Sequence, residues 1–152
     1  MTYDELLIEA TDAGAIVKEA YFKTRKSDNL NNRIAIHKDL SNYEKTFLLA
    51  KELGNYYRFI GDKNKLRDIN KRKKNFLERQ WEYNKKIGII GLINAFRYGC
   101  STRYEMAKYL NVSIEYLNEA ISYYEHKYGS IFRLDDYIIY FSPIFYIGVA
   151  LN

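Results

Sequence analysis

One long helix is the element that most constrains how this chain folds. Ser41 and Glu44 have the spacing of a capping box, which is typical of a helix start. Gly61 follows about five turns later and marks the end. We therefore expect a helix over residues 42–59 with one apolar face turned to a core. The apolar side chains at helical spacing are Phe47, Leu48, Ala50, Leu53 and Tyr57.

The other patterns predict an α+β protein that is mainly helical. A second capping box, Thr2 with Glu5, starts a short helix that ends near Gly14. The further predicted elements are an extended segment from Ala15, a turn-rich stretch at 22–32, a strand at 33–37, helices at 68–85 and 89–97, a helix from Ser101 or Thr102 to Leu110, a helix from Ser113 to Lys127, a hairpin of 131–134 and 137–141, and an edge strand or docking tail at 144–151. In the helix at 68–85 we expect Phe76, Leu77, Trp81 and Tyr83 to face inward. With no linker in sight, the 152 residues predict a single domain over 1–152, with a small N-terminal sheet and a C-terminal β-hairpin.

Composition narrows the class of protein and locates its charge. The start of the chain is acidic and polar, unlike a signal peptide, and no apolar run reaches the length of a membrane span. The lone cysteine, Cys100, fits a reducing compartment, so we expect a cytoplasmic protein without membrane contact. The net charge is +5, and residues 61–86 hold ten Lys or Arg against four Asp or Glu. The basic character is therefore local, which is typical either of a solvated helix face or of a surface for an anionic partner.

The predicted long helix contains a motif that lacks its metal ligands. A zinc helix of the H-E-x-x-H type needs histidines one turn apart, with a glutamate as general base. Here Lys51 and Asn55 occupy the two histidine positions, and Glu52 occupies the glutamate position. The strand and turn at 34–41, followed by A-K-E-L-G-N-Y at 50–56, resemble the ImmA/IrrE family of metallopeptidases, whose motif reads A-H-E-L-G-H-Y. The resemblance covers roughly residues 3–140, including the stretches at 70–73, 81–83 and 103–129.

The resemblance implies a zincin-like fold whose chemistry has been lost. The family's third ligand, a glutamate on the next helix, falls at Asn75, and Glu78 is the nearest acid. An ammonium has no lone pair for zinc and an amide is a poor ligand, so we expect no metal, no cofactor and only a vestigial Glu52. The resemblance implies that the Lys51 ammonium occupies the space where the zinc ion once sat. The alternative is that Lys51 itself acts as a base or nucleophile.

The resemblance also implies a kind of partner. Family members of this type occur beside phage or mobile-element repressors, and active ones act on the repressor. A pseudoenzyme of this kind would bind a repressor or a host regulatory protein without cutting it. The candidate binding surface consists of Tyr56, Tyr57, Lys63, Lys65, Arg72, Lys73 and Lys74.

Two alternatives stay open. Residues 104–117 have helix-turn-helix spacing, which favours a DNA-binding regulator, and the basic stretch at 63–74 offers a second route to nucleic acid. The acidic residues of the following helix oppose phosphate, so we favour a packing role for this unit. The other alternative is a residual metallopeptidase with shifted ligands. The two histidines, His37 and His126, are too far apart in the sequence to indicate a zinc site.

Overall fold

Helices dominate the chain, and two groups of short strands flank them in sequence. A computed structural model describes residues 1–150. The described elements are α1 (Tyr3–Asp12), β1 (Ile16–Ala20), β2 (Ser27–Leu30), β3 (Arg33–His37), α2 (Asn42–Ile60), α3 (Lys63–Lys86), α4 (Gly88–Tyr98), α5 (Arg103–Leu110), α6 (Ile114–Tyr128), β4 (Ile131–Leu134), β5 (Tyr137–Tyr140) and β6 (Tyr146–Val149). This confirms a mainly helical α+β architecture with two small sheets. None of the helices in residues 1–150 combines the length and the apolar character that a bilayer crossing requires.

The backbone divides into two compact units, residues 1–78 and the chain from Arg79 onward. In the first, the strand order is β1-β3-β2, with β1 parallel and β2 antiparallel to the central strand. Side chains alternate along β3, so Ile34 and Ile36 enter the core while the residues between them face the other side. The predicted strand at 33–37 is confirmed. The turn-rich stretch before it contains β2, which the sequence did not predict.

The long helix α2 forms as its caps predict. The Ser41 hydroxyl accepts a hydrogen bond from the Glu44 N–H at 3.2 Å, and Gly61 ends the helix with a φ of 76°, in the left-handed region that glycine tolerates best. The face of α2 that meets the sheet and α1 is buried. The large aliphatic side chains that are fully buried in this unit are Leu6, Ile34, Ile36, Leu49, Leu53 and Ile69.

Helix α3 is longer than predicted, since it begins at Lys63 instead of near residue 68. Tyr83 is buried and Phe76 is half-buried, as expected. Leu77 and Trp81 are 45% and 60% exposed, so the prediction that they face inward is wrong. The Trp81 ring instead lies under the ammonium of Lys85, 4.6 Å from the ring centroid, which is a favourable arrangement at a surface.

The second unit packs α4, α5 and α6 with a three-stranded antiparallel sheet of order β4-β5-β6. Thr102 and Ser113 cap α5 and α6 through their hydroxyls, as predicted. The hairpin is confirmed, with β5 ending at Tyr140, and β6 adds the expected edge strand. Leu151, the end of the predicted tail, lies outside the described residues. The single domain over 1–152 stays a prediction.

Candidate functional site

The centre of the candidate site is a buried carboxylate. Glu52 is only 3% exposed, although it lies in the middle of α2. The Ser27 hydroxyl donates to its Oε1 at 2.9 Å, the Asn55 amide donates to its Oε2 at 3.3 Å, and the Lys51 ammonium lies 3.5 Å from Oε1. A buried carboxylate is costly without such partners. The lone pairs of Glu52 are therefore engaged by the protein itself.

The two positions one turn apart hold a cation and an amide. The Lys51 side chain is 50% exposed, so its ammonium sits at the mouth of the site while Glu52 lies beneath. Asn55 accepts a hydrogen bond from the Arg58 guanidinium at 3.1 Å, which fixes its amide so that the NH₂ group points to Glu52. Within residues 1–150, His, Cys, Asp and Glu side chains nowhere gather in groups of three that could hold a metal ion.

The contact that the structure shows between α3 and this turn of α2 is made around Asn70. The residues of α3 that meet α2 lie on one face: Asn70 and Ile69 lie within 3.7 Å of the position a Cβ would take on Gly54, and Phe76 stacks on Tyr43. Asn75 is exposed, as Asn70 is, and at 100° per residue it lies beside Phe76 on the other flank of this face. Asn75 as a former ligand position therefore stays a prediction. Asn70 is the polar α3 side chain beside Gly54, which lies between Lys51 and Asn55 in the sequence.

Tyr56 and Tyr57 do not form a surface. Both rings are buried, because their positions on α2 face α1 and the core. The Tyr56 hydroxyl donates to the Ala13 carbonyl at 2.7 Å, and the Tyr57 hydroxyl donates to Glu9 Oε1 at 2.5 Å. Burial, and then the hydrogen bond to Glu9, raise the pKa of Tyr57 far above its usual value. These tyrosines hold α1 against α2.

Arg72 is also engaged within the fold. One guanidinium nitrogen, Nη2, donates to both carboxylate oxygens of Glu9 at 2.8 Å, and Nε lies 2.9 Å from Asp68 Oδ2. Because Glu9 also accepts from Tyr57, the three side chains join α1, α2 and α3. The Arg72 guanidinium is therefore engaged with Glu9 and Asp68 within the first unit.

The four lysines of the predicted surface are placed differently from one another. The ammonium of Lys65 lies 5.8 Å from the Tyr57 ring centroid, and that of Lys73 lies 6.0 Å from the Phe47 ring centroid. Lys63 and Lys74 are exposed on the opposite side of α3, and Lys74 is 3.8 Å from Glu78. Of these four lysines, Lys63 and Lys74 therefore share one solvent-exposed side of α3, whereas Lys65 and Lys73 lie near aromatic rings.

Sequence reasoning missed the strand that borders the site. The N–H of His37 donates to the Lys26 carbonyl at 2.8 Å, in register with the β2–β3 ladder. In an antiparallel pair such hydrogen bonds alternate, so the backbone groups of Ser27 and Asn29 point to the open side of β2. Asn29 confirms this, since its N–H is taken by the Asp28 side chain at 2.9 Å. Thus the Ser27 hydroxyl reaches Glu52 from a strand whose outer edge pairs with no other strand in residues 1–150.

Removing the Ser27 hydroxyl tests how firmly this carboxylate is held. We expect Ser27→Ala to lower the free energy of unfolding by about 1 to 3 kcal/mol, because a hydrogen bond to a buried charged group is lost. Urea unfolding followed by circular dichroism measures the change. Ser122→Ala, at an exposed serine of α6, is the control and should change stability by less than about 0.5 kcal/mol. Equal effects from the two variants would contradict the role assigned to Ser27.

The second unit contains the predicted helix-turn-helix. Helices α5 and α6 are joined by a short turn in which Asn111 is left-handed, with a φ of 56°. Ala107 and Leu117 are buried in the shared core, as expected. The acids of α6 do not favour contact with phosphate: Glu115 is exposed, and Glu119 accepts hydrogen bonds from Arg79 and Tyr83. The hairpin turn next to it, Asp135–Asp136, adds two exposed carboxylates.

The other residues considered for chemistry, His37, His126 and Cys100, lie within the fold. His37 accepts from the Asp39 N–H at Nδ1 and lies 3.1 Å from the Phe22 carbonyl at Nε2, so its ring ties a turn to the sheet. His126 Nδ1 lies 2.7 Å from the Ser122 carbonyl within α6, and Cys100 is buried and free.

No protein-family model, curated protein or solved structure gives a significant match to this chain.

Proposed function

We propose that the first unit is a peptidase-like domain without peptidase chemistry, and that it binds an extended segment of another protein beside Glu52. The observation that carries the proposal is the environment of Glu52. Its carboxylate is buried and engaged by Ser27, Lys51 and Asn55. A general base must reach a water or substrate proton, and a carboxylate enclosed by its own side chains is poorly placed to do so. This arrangement therefore favours binding over hydrolysis as the activity of the site.

The edge of β2 supports an extended segment as the ligand. The backbone groups of Ser27 and the Asn29 carbonyl face the open side of β2, and the Asn29 N–H would exchange the Asp28 carboxylate for a backbone carbonyl of a strand laid alongside. Lys51 lies at the same border, where its half-exposed ammonium would pair with an acidic side chain of that segment. The resemblance of residues 34–56 to a peptidase family accords with this geometry and suggests a regulatory protein, such as a repressor, as the partner. On this view Lys51 occupies the place of the lost ion.

A proline in β2 tests the proposal. Peptides selected on the wild-type protein from a displayed random library would be measured for affinity against Asn29→Pro and Asn29→Ala. Proline removes the outward N–H yet is tolerated at a sheet edge. We expect the proline variant to weaken binding at least about tenfold, since an interfacial hydrogen bond left unmade costs about 1 to 3 kcal/mol. Asn29→Ala keeps the N–H and should bind like the wild type.

The same peptides separate binding from cleavage. Lys51→Glu is expected to weaken those peptides that carry an acidic residue, and mass spectrometry after long incubation should find them intact. If the selected peptides bind all variants with equal affinity, β2 is not the binding site and the proposal is wrong. Peptides cut at one bond by the wild type, but not by Glu52→Gln, would replace it with a hydrolase.

A further inference from the structure

Four cations form a line along the solvent side of α3. Lys63, Arg67, Lys71 and Lys74 are spaced by four, four and three residues, which places them on one side of a helix. All four are exposed. The line spans about 16 Å at 1.5 Å per residue. We call these four residues the α3 stripe. It lies opposite the face of α3 that packs on α2.

The stripe is not neutralised by the fold. Within residues 1–150, Lys63, Arg67 and Lys71 have no carboxylate within 4.0 Å, and Lys74 has only Glu78, at 3.8 Å. The two acids next to the stripe in sequence are engaged elsewhere: Asp62 Oδ1 accepts from the Lys65 N–H at 3.0 Å, and Asp68 Oδ2 lies 2.9 Å from Arg72 Nε. Two other cations of this unit are paired with carboxylates: Lys26 with Glu44 at 3.1 Å, and Arg72 with Glu9 at 2.8 Å. The stripe therefore presents uncompensated positive charge on a rigid support.

The side chains around the stripe narrow the class of ligand. Asn64, Asp68 and Asn75 lie on one side of the stripe and are polar. On the other side Leu77, three residues after Lys74, is exposed, and one leucine offers little apolar area for insertion into a membrane surface. Trp81 lies seven residues beyond Lys74 with its ring under the Lys85 ammonium, so the stripe has no series of rings on which successive unpaired bases would stack. A row of cations alone suits the evenly spaced phosphates of a duplex backbone, which are contacted without reading sequence.

We propose that the α3 stripe binds duplex nucleic acid through its phosphates, independently of base sequence. This is a separate activity from peptide binding at β2, because it uses the outer side of α3 and none of the residues around Glu52. It also differs from recognition by a helix-turn-helix, since α6 contributes nothing to it. With four phosphate contacts, the logarithm of the binding constant should fall with the logarithm of salt concentration with a slope of about −3.6. That slope corresponds to about a 150-fold weakening between 50 and 200 mM salt.

The test compares two variants of equal charge. Fluorescence anisotropy with a labelled 20-base-pair DNA duplex would be recorded at several salt concentrations for the full chain. The stripe variant carries Lys63→Gln, Arg67→Gln, Lys71→Gln and Lys74→Gln. The control carries Lys18→Gln, Lys23→Gln, Arg33→Gln and Lys38→Gln, which are exposed positions around the first sheet. Circular dichroism confirms that both variants are folded.

We expect the stripe variant to lose at least about tenfold in affinity at 50 mM salt, with a salt slope near zero, while the control keeps the wild-type slope. Equal weakening of the two variants would show that only net charge matters and would overturn the proposal. So would failure of the wild type to bind duplex at 50 mM salt. Stripe-dependent binding to polyglutamate that is as tight as to the duplex would instead assign the stripe to an acidic protein.

Discussion

A variant with Lys51→His, Asn55→His and Asn70→Glu is expected to bind one zinc ion. The two histidines would lie one turn apart on α2, and the glutamate would reach them from the face of α3 that meets Gly54. Zinc bound only to the folded chain would raise the free energy of unfolding by about 2.7 kcal/mol at a zinc concentration 100 times Kd. Metal content after dialysis and urea unfolding with and without zinc measure both effects.

The matched control exchanges the third substitution for Asn75→Glu, with the two histidines unchanged. Because Asn70 lies beside Gly54, this control should bind zinc more weakly than the Asn70→Glu variant. If both triple variants fold but neither holds zinc better than the wild type, the likeness to a zinc helix is only a sequence coincidence. If the Asn75→Glu variant binds more tightly, our placement of α3 against α2 is wrong.

Raising the pH above 10 is expected to destabilise both units steeply. Burial raises the pKa of Tyr57, Tyr83 and Tyr124 above the usual value near 10, and hydrogen bonds to Glu9 and Glu119 raise the first two further. Below pH 10 these phenols are neutral in the folded and the unfolded chain, so their contribution is fully present. Above pH 10 the unfolded chain releases protons that the folded chain retains. Each tyrosine then lowers the free energy of unfolding by about 1.4 kcal/mol per pH unit.

Urea unfolding at pH 9, 10 and 11 measures this loss. Tyr57→Phe and Tyr124→Phe should each flatten the dependence above pH 10 by about 1.4 kcal/mol per pH unit, at a cost in stability at neutral pH from the lost hydrogen bond. Tyr98→Phe, at an exposed ring, is the control and should leave the pH dependence unchanged. If all three variants follow the wild-type curve, the buried phenols do not govern alkaline unfolding.

The sequence predicted those elements whose start and end are set by local chemistry. Ser41, Thr102 and Ser113 cap their helices through hydroxyls, and Gly61 ends α2, so these boundaries depend on residues close in the chain. Strand β2 was missed because S-D-N-L has little β propensity and only a single branched apolar residue. Its pairing with β3 supplies the stability that its own composition does not indicate.

The candidate site was predicted only as far as one helix determines it. The relation of Lys51, Glu52 and Asn55 follows from helical spacing, and the structure agrees. Which α3 residue lies beside this turn depends on how two helices pack, so counting along the sequence gave Asn75, whereas the structure places Asn70 beside Gly54. Tyr56 and Tyr57 were assigned to a surface because a tyrosine pattern does not show which ring is covered by α1. Ser27 lies 25 residues before Glu52 in the sequence, so the residues around the motif do not indicate that its hydroxyl binds Glu52.

The order of the first sheet has a consequence for how the chain folds. Strands β2 and β3 are joined by a two-residue turn, in which Asn31 is left-handed, so this hairpin closes a very short loop. Strand β1 precedes the hairpin in the sequence and pairs with β3 in parallel, so this pairing closes a longer loop. We expect the hairpin to form early and β1 to join later. Since Ser27 belongs to the hairpin, Glu52 acquires its hydroxyl partner when that early-forming piece docks on α2.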